Sequence, residues 1–157
     1  MVRYADSSVF VCLYCPETFS VLADREIRRS QERPVFNELH QLEVRNAIRG
    51  KVPRGQATRA EVAAFLQSLD TDISVGLWIR RRVNWPLVLA KAEDLSSRFT
   101  PALNARSLDI LHVAIAVTEY CTEFITADAK QAKLADAAGL SSTFIGTIPR
   151  GNERESQ

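Results

Sequence analysis

The chain has 157 residues, 46% apolar and 25% charged, with a net charge of +1. That length fits one domain that can bury a sizeable core without disulfide or metal staples. The near-neutral balance excludes a uniformly basic nucleic-acid coat, so any such binding needs a local patch.

Val2 to Asp6 reads as a short buried strand, Ser7-Ser8 as a turn or helix cap, and a helix begins at Val9 and runs to Tyr14. Pro16 interrupts it, and a second helical stretch spans about Thr18 to Arg29. Pro34-Val35-Phe36 is a second strand, and Asn37 suits the N-cap of a helix from Glu38 to about Arg49. The segment Gly50-Lys51-Val52-Pro53-Arg54-Gly55 carries breaker chemistry and reads as a loop. Thr58 with Glu61 makes a capping box, and Val62, Phe65, Leu66 and Leu69 follow at helical spacing. A strand falls somewhere between Ile73 and Val83. Trp85-Pro86 opens a helix through about Phe99, and Pro101 to Arg106 is a loop. Ser107 caps an apolar helix ending near Cys121. Glu123 to Thr126 is a strand, Ala129 to Ala138 a helix with Gly139 as C-cap, and Ser142 to Ile145 a last strand.

Strands alternating with helices predict an α/β fold, a three-layer α/β/α sandwich around a mostly parallel sheet. One domain over residues 1–148 and a polar tail over residues 149–157 are expected. Ligands in such sheets bind beyond the carboxyl ends of the strands. No apolar stretch reaches the ~20 residues that span a bilayer, and the first residues lack the pattern of a signal peptide. Cys12, Cys15 and Cys121 form no disulfide framework, which points to a reducing cytoplasm. The C-x-x-C of Cys12 and Cys15 has no further zinc ligand near it and reads as packing.

Four carboxylates stand out because each lies in or beside an apolar run: Asp6, Glu43, Asp109 and Asp128. An isolated buried carboxylate is costly unless it is paired, protonated or bound to a metal. Asp6 and Asp128 fall at predicted strand ends, Asp109 in a first helical turn, and Glu43 within the helix after the second strand. All four can therefore meet on one rim of the sheet, where mutual repulsion calls for a divalent cation. Simpler roles exist for three of them: Asp6 as a turn residue, Asp109 on a helix dipole and Asp128 as an N-cap. Glu43 lies on the apolar stripe with Leu39 and Ala47 and has no such role.

The segments around these acids resemble the motifs of the PIN-domain ribonucleases, in order: Tyr4-Ala5-Asp6-Ser7-Ser8, Leu42-Glu43-Val44-Arg45-Asn46-Ala47, Arg106-Ser107-Leu108-Asp109-Ile110-Leu111-His112-Val113-Ala114, and Phe124-Ile125-Thr126-Ala127-Asp128-Ala129-Lys130-Gln131. The third motif and its following helix are most similar to the VapC-type toxins of toxin–antitoxin modules. The resemblance implies a Mg²⁺- or Mn²⁺-dependent endoribonuclease with Asp6, Glu43, Asp109 and Asp128 as catalytic metal ligands. It implies hydroxyls from Ser8 and Thr126 beside them, and Asn46 hydrogen-bonding within the site. It also implies a homodimer and a cognate antitoxin protein.

Oxygen donors suit Mg²⁺, and a metal-bound water needs no histidine or cysteine nucleophile. His112, one turn after Asp109, reads as a hydrogen-bonded core or interface residue. Arg45 and Arg49, on the helix of Glu43, are the candidates for contacts to RNA phosphates, with Arg80-Arg81-Arg82 as a second basic cluster. A phospho-acceptor receiver domain also places acids at strand ends. It needs adjacent acids after the first strand and a lysine ending a late one, whereas Asp6 precedes Ser7-Ser8, and Lys130 and Lys133 fall on a helix. A PIN-like fold without activity, used for binding, is the other alternative.

Overall fold

The computed structural model describes residues 2–146; the expected tail at residues 149–157 lies outside them. Its elements are β1 (Arg3–Ala5), α1 (Ser7–Tyr14), α2 (Ser20–Arg28), β2 (Val35–Phe36), α3 (Glu38–Arg49), α4 (Arg59–Ser74), β3 (Ile79–Arg80), α5 (Trp85–Leu103), α6 (Ser107–Thr118), β4 (Glu123–Thr126), α7 (Ala129–Ala137) and β5 (Ser141–Phe144). The five strands form one sheet in the order β3-β2-β1-β4-β5, and every pairing is parallel.

Alternation along the strands builds the two sides of the core. Tyr4, Val35 and Phe124 face one way, toward Val88 and Leu95 of α5, Ile110 and Val113 of α6, and Leu134 of α7. Ala5, Phe36 and Ile125 face the other, toward Phe10 of α1, Ile27 of α2, Ile48 of α3 and Leu69 of α4. The expected sandwich is thus formed, and the sheet is wholly parallel among the described residues.

Caps fix where the helices that carry the site begin. Asn37 Oδ1 accepts from the N–H of Leu39 (3.0 Å) and of His40 (3.2 Å), and the Asn37 N–H donates to His40 Nδ1, closing a capping box. The Thr58–Glu61 box forms as expected.

Several expectations shift, beginning with α1, which starts at Ser7 with Asp6 as its N-cap rather than at Val9. The helix from Trp85 does not stop before Pro101 but runs to Leu103, where Asn104 ends it in the left-handed region (φ 50°). Proline's φ suits a helix, and Phe99 and Leu103 pack on the core, which outweighs the lost N–H bond. Arg106, not Ser107, occupies the cap position of α6, and it makes no side-chain cap bond. Ile73 belongs to α4, so the third strand is only Ile79–Arg80. The last strand is Ser141–Phe144, one residue earlier than expected.

Strand order reverses at β1. The chain moves outward through β2 and β3, then returns to lay β4 on the other side of β1. The carboxyl ends of β1 and β4 are therefore a topological switch point, the place where open parallel sheets leave a crevice.

Candidate active site

Asp6 directly follows β1, and Asp128 lies two residues past β4. Both begin helices. Asp6 Oδ1 accepts from the Val9 N–H (3.1 Å), and Asp128 Oδ1 accepts from Lys130 N (2.7 Å) and Gln131 N (3.2 Å). The capping role foreseen for Asp128 is therefore real, and Asp6 is a cap rather than a plain turn residue. Capping uses one oxygen of Asp128 and leaves the other facing the crevice. Asp109 in the first turn of α6 and Glu43 in α3 complete the set. All four acids line one cleft of about 610 Å³, with Ser7, Ser8, Arg106, His112, Gln131 and Phe144.

Each carboxylate is held differently. Asp6 is 4% exposed; Ser8 Oγ donates to its Oδ1 (2.6 Å) and Thr126 Oγ1 to its Oδ2 (2.6 Å). Burial pushes this carboxyl up from the ordinary aspartate value, against those hydroxyls, His112 and the Val9 N–H. Glu43 goes the other way. Burial pushes it up, but the bonds from His112 and Ser7 prevail and hold it below the usual glutamate value. Asp109 takes Arg106 on both oxygens (2.9 and 3.4 Å), and the same guanidinium reaches Asp128 Oδ2 at 3.4 Å. The Arg106 side chain is 75% exposed, so water competes for this bridge.

Thr126 is fully buried and joins the two strand ends: its hydroxyl accepts from Asp128 N (3.0 Å) while bonding Asp6. It also lies 3.0 Å from Gln131 Oε1, while Gln131 Nε2 is buried without a partner among the described residues. One hydroxyl proton cannot serve both Asp6 and Gln131. Rotating the Gln131 amide by half a turn lets its NH₂ donate to Thr126 and removes the unpaired donor.

Ser8 and Thr126 therefore place their hydroxyls on Asp6, while three other candidates stand apart. Asn46, one turn beyond Glu43, is exposed, and its side chain makes no hydrogen bond among the described residues. The helical rise carries it away from the rim. Arg45 is committed to Gln41 (2.7 Å) and Asp70 (2.5 Å), and Arg49 is exposed near the far end of α3. Neither lines the acidic cleft. Arg80, Arg81 and Arg82 instead line a separate cleft of about 540 Å³ with Asn37, Glu38 and Gln41, past the carboxyl end of β3.

Ser7, Arg106 and His112 are site residues that the acidic pattern did not identify. His112 is buried as expected, but it bonds Glu43 directly. The cysteines of the C-x-x-C are free and buried, as packing residues are, and burial pushes both thiols up to about 11.

The donor chemistry suits a hard divalent cation: carboxylates and hydroxyls, all oxygen. Among the described residues no three histidine, cysteine, aspartate or glutamate side chains are already gathered around one point. Arg106 supplies the positive charge between Asp109 and Asp128. With that displaceable side chain turned away, Asp109, Asp128 Oδ2 and Glu43 Oε1 carry oxygens free of other hydrogen-bond donors among the described residues. The set therefore fits a cation that replaces Arg106.

No protein-family model matches the chain, and no curated protein matches it closely enough to be a relative. What the fold and the cleft define is an α/β protein with an acidic crevice at the switch point of a parallel sheet.

Proposed function

We propose that the protein is a metal-dependent endoribonuclease of the PIN type, acting as the toxin of a VapBC-like pair in the cytoplasm. One observation carries this reading: four carboxyls far apart in sequence line a single cleft, opposed there, among the described residues, by one exposed guanidinium. Four acids with so little compensation form a site for a cation.

Mg²⁺ or Mn²⁺, held by Asp6, Glu43, Asp109 and Asp128, would supply charge stabilisation at the phosphodiester and a more acidic bound water. The chain's own groups perform the remaining tasks. Ser8 and Thr126 fix the Asp6 carboxylate, and the α7 cap fixes Asp128. Arg106, released from Asp109, is placed to bond a phosphate oxygen. Arg80 and Arg82 lie on the same rim, past β3, where a strand of RNA leaving the acidic cleft finds positive charge.

Single-stranded or looped RNA fits best, because its backbone can bend into the crevice. The motif resemblance extends the reading to a protein antitoxin and a homodimer. No helix among the described residues is long and apolar enough to cross a membrane.

The test is cleavage of a mixed pool of structured RNAs in Mg²⁺, in Mn²⁺ and in EDTA, beside Asp109→Asn. Cuts at a few positions, lost in EDTA and reduced about a hundredfold or more in the variant, are expected. Folded, partner-free protein that leaves all RNA intact would favour a binding module without activity.

A further inference from the structure

Behind Glu43 runs a chain of buried polar groups that no catalytic step described above requires. It begins at Asn37, whose Oδ1 already accepts the Leu39 and His40 N–H groups; the other end of the amide is therefore the NH₂. That NH₂ lies 3.4 Å from Tyr4 Oη, and Tyr4 Oη lies 2.7 Å from His112 Nδ1. His112 Nε2 contacts Glu43 Oε2, and Ser7 Oγ donates to the same oxygen at 2.9 Å. Asn37, Tyr4 and His112 are each at most 3% exposed.

Donor counting sets the direction of every bond. Asn37 can only donate to Tyr4, so the phenol oxygen accepts and its proton goes to His112 Nδ1. A ring nitrogen that accepts at Nδ1 carries its hydrogen on Nε2, which then donates to Glu43. A proton on Nδ1 would instead leave the phenol hydrogen without an acceptor among the described residues, at full burial. Ring packing holds the geometry: the Tyr4 and His112 rings meet edge to face with centroids 5.8 Å apart, and His40 stacks obliquely on His112 at 5.3 Å.

We infer that His112 is a positioning residue: fixed by Tyr4 and Asn37 as the Nε2–H form, it clamps Oε2 of Glu43 together with Ser7 and so presents Oε1 to the cleft. Two donors on one oxygen leave the other free of hydrogen bonds among the described residues. Glu43 sits on a helix with several rotatable bonds, unlike Asp6 and Asp128, which their helix caps fix. It is the acid in the cleft that most needs a clamp. The inference rests on the nuclease reading for its consequence in catalysis, but not for its hydrogen-bond assignment.

The experiment has two arms on the full chain. Long-range ¹⁵N–¹H spectra of the metal-free protein read the His112 ring directly. The expected signature is hydrogen on Nε2 alone, with that preference lost in Tyr4→Phe. Hydrogen on Nδ1, or an unchanged ring in Tyr4→Phe, overturns the inference. The second arm compares His112→Ala with His112→Gln, whose amide NH₂ can still reach Glu43. His112→Ala is expected to lower kcat and Mn²⁺ affinity about 10–100-fold with little change in KM, and His112→Gln to recover part of both. Equal behaviour of the two variants, or an Ala variant as active as the parent, overturns it. If His112→Ala fails to fold, His112→Gln and Tyr4→Phe decide. If the parent itself cuts no RNA, the nuclease reading fails while the spectra and the Mn²⁺ titration still judge the clamp.

Discussion

The two ends of β1 and β4 carry opposite solutions to buried charge. At the amino end, Arg3 is 1% exposed and bonds Glu123 (2.7 Å), Glu26 (2.8 Å) and the carbonyls of Glu26, Ile27 and Glu32. Arg29 joins Glu26 and Glu123 from outside. Two guanidiniums face two carboxylates, and Arg3 spends all its donor directions. At the carboxyl end, where Asp6 lies three residues past Arg3 and Asp128 five past Glu123, four carboxyls face, among the described residues, one guanidinium that is mostly in water. Buried charge alone therefore does not mark function in this chain. Imbalance separates the two ends, because a closed cluster has nothing left to bind and an open one has room for a partner.

Breaking the closed end has the largest expected effect on stability. Arg3→Met leaves the buried Glu123 and the half-buried Glu26 with Arg29, itself mostly exposed, as their only remaining guanidinium among the described residues, and is expected to cost about 3 kcal/mol or more, read as a fall in the urea midpoint. Asp109→Asn, at the open end, is expected to leave the midpoint unchanged or raise it, since it relieves repulsion. A loss at Asp109 equal to that at Arg3 would erase the distinction.

His40 sharpens it from the middle of the fold. It is fully buried between the two ends, its Nε2 donating to the Ala5 carbonyl (2.8 Å) and its Nδ1 accepting from the Asn37 N–H. Burial, with His112 nearby, holds its pKa well below the ordinary 6.5. The unfolded chain therefore takes up a proton first. Stability is complete above about 6.5 and falls as pH drops from there toward the folded value, by up to about 1.4 kcal/mol per pH unit. Urea midpoints across that range, compared with His40→Gln, should show the slope in the parent and a flatter line in the variant.

Arg106→Gln unmasks the open end. It should tighten Mn²⁺ binding several-fold while weakening RNA binding, with stability changed by less than about 1 kcal/mol. Calorimetry with Mn²⁺ and a fluorescence titration with RNA would show whether the two affinities move apart. Smallest of all is Arg28→Ala. Arg28 pairs with Asp24 at 2.8 Å on the surface of α2, and its loss should cost under about 0.5 kcal/mol. It measures how little the same pair is worth in water.

The layers of the fold were legible because the periods are clean. Caps such as Asn37 and Thr58 announce their helices, and short β-rich runs alternate with them. The four acids were legible because a charge inside an apolar run is a local signal. What escaped depends on distance or on packing. Arg3 reads as an ordinary strand residue until Glu123, 120 positions away, lies beside it. Ser7 and His112 acquire meaning only when α1, α3 and α6 meet at Glu43. Pro101 looked like a stop because proline usually is one, and only the packing of Phe99 and Leu103 carries the helix past it. Arg45 looked free until α4 brought Asp70 to it.

The most direct test is a calorimetric titration of Mn²⁺ into the folded, partner-free protein, with Asp109→Asn and Arg3→Met alongside. Saturable binding by the parent, weakened about 10–100-fold in Asp109→Asn and kept in whatever fraction of Arg3→Met stays folded, is the expected result. No binding by the folded parent, or equal binding by Asp109→Asn, would contradict the claim that the open, unbalanced end is built for a cation.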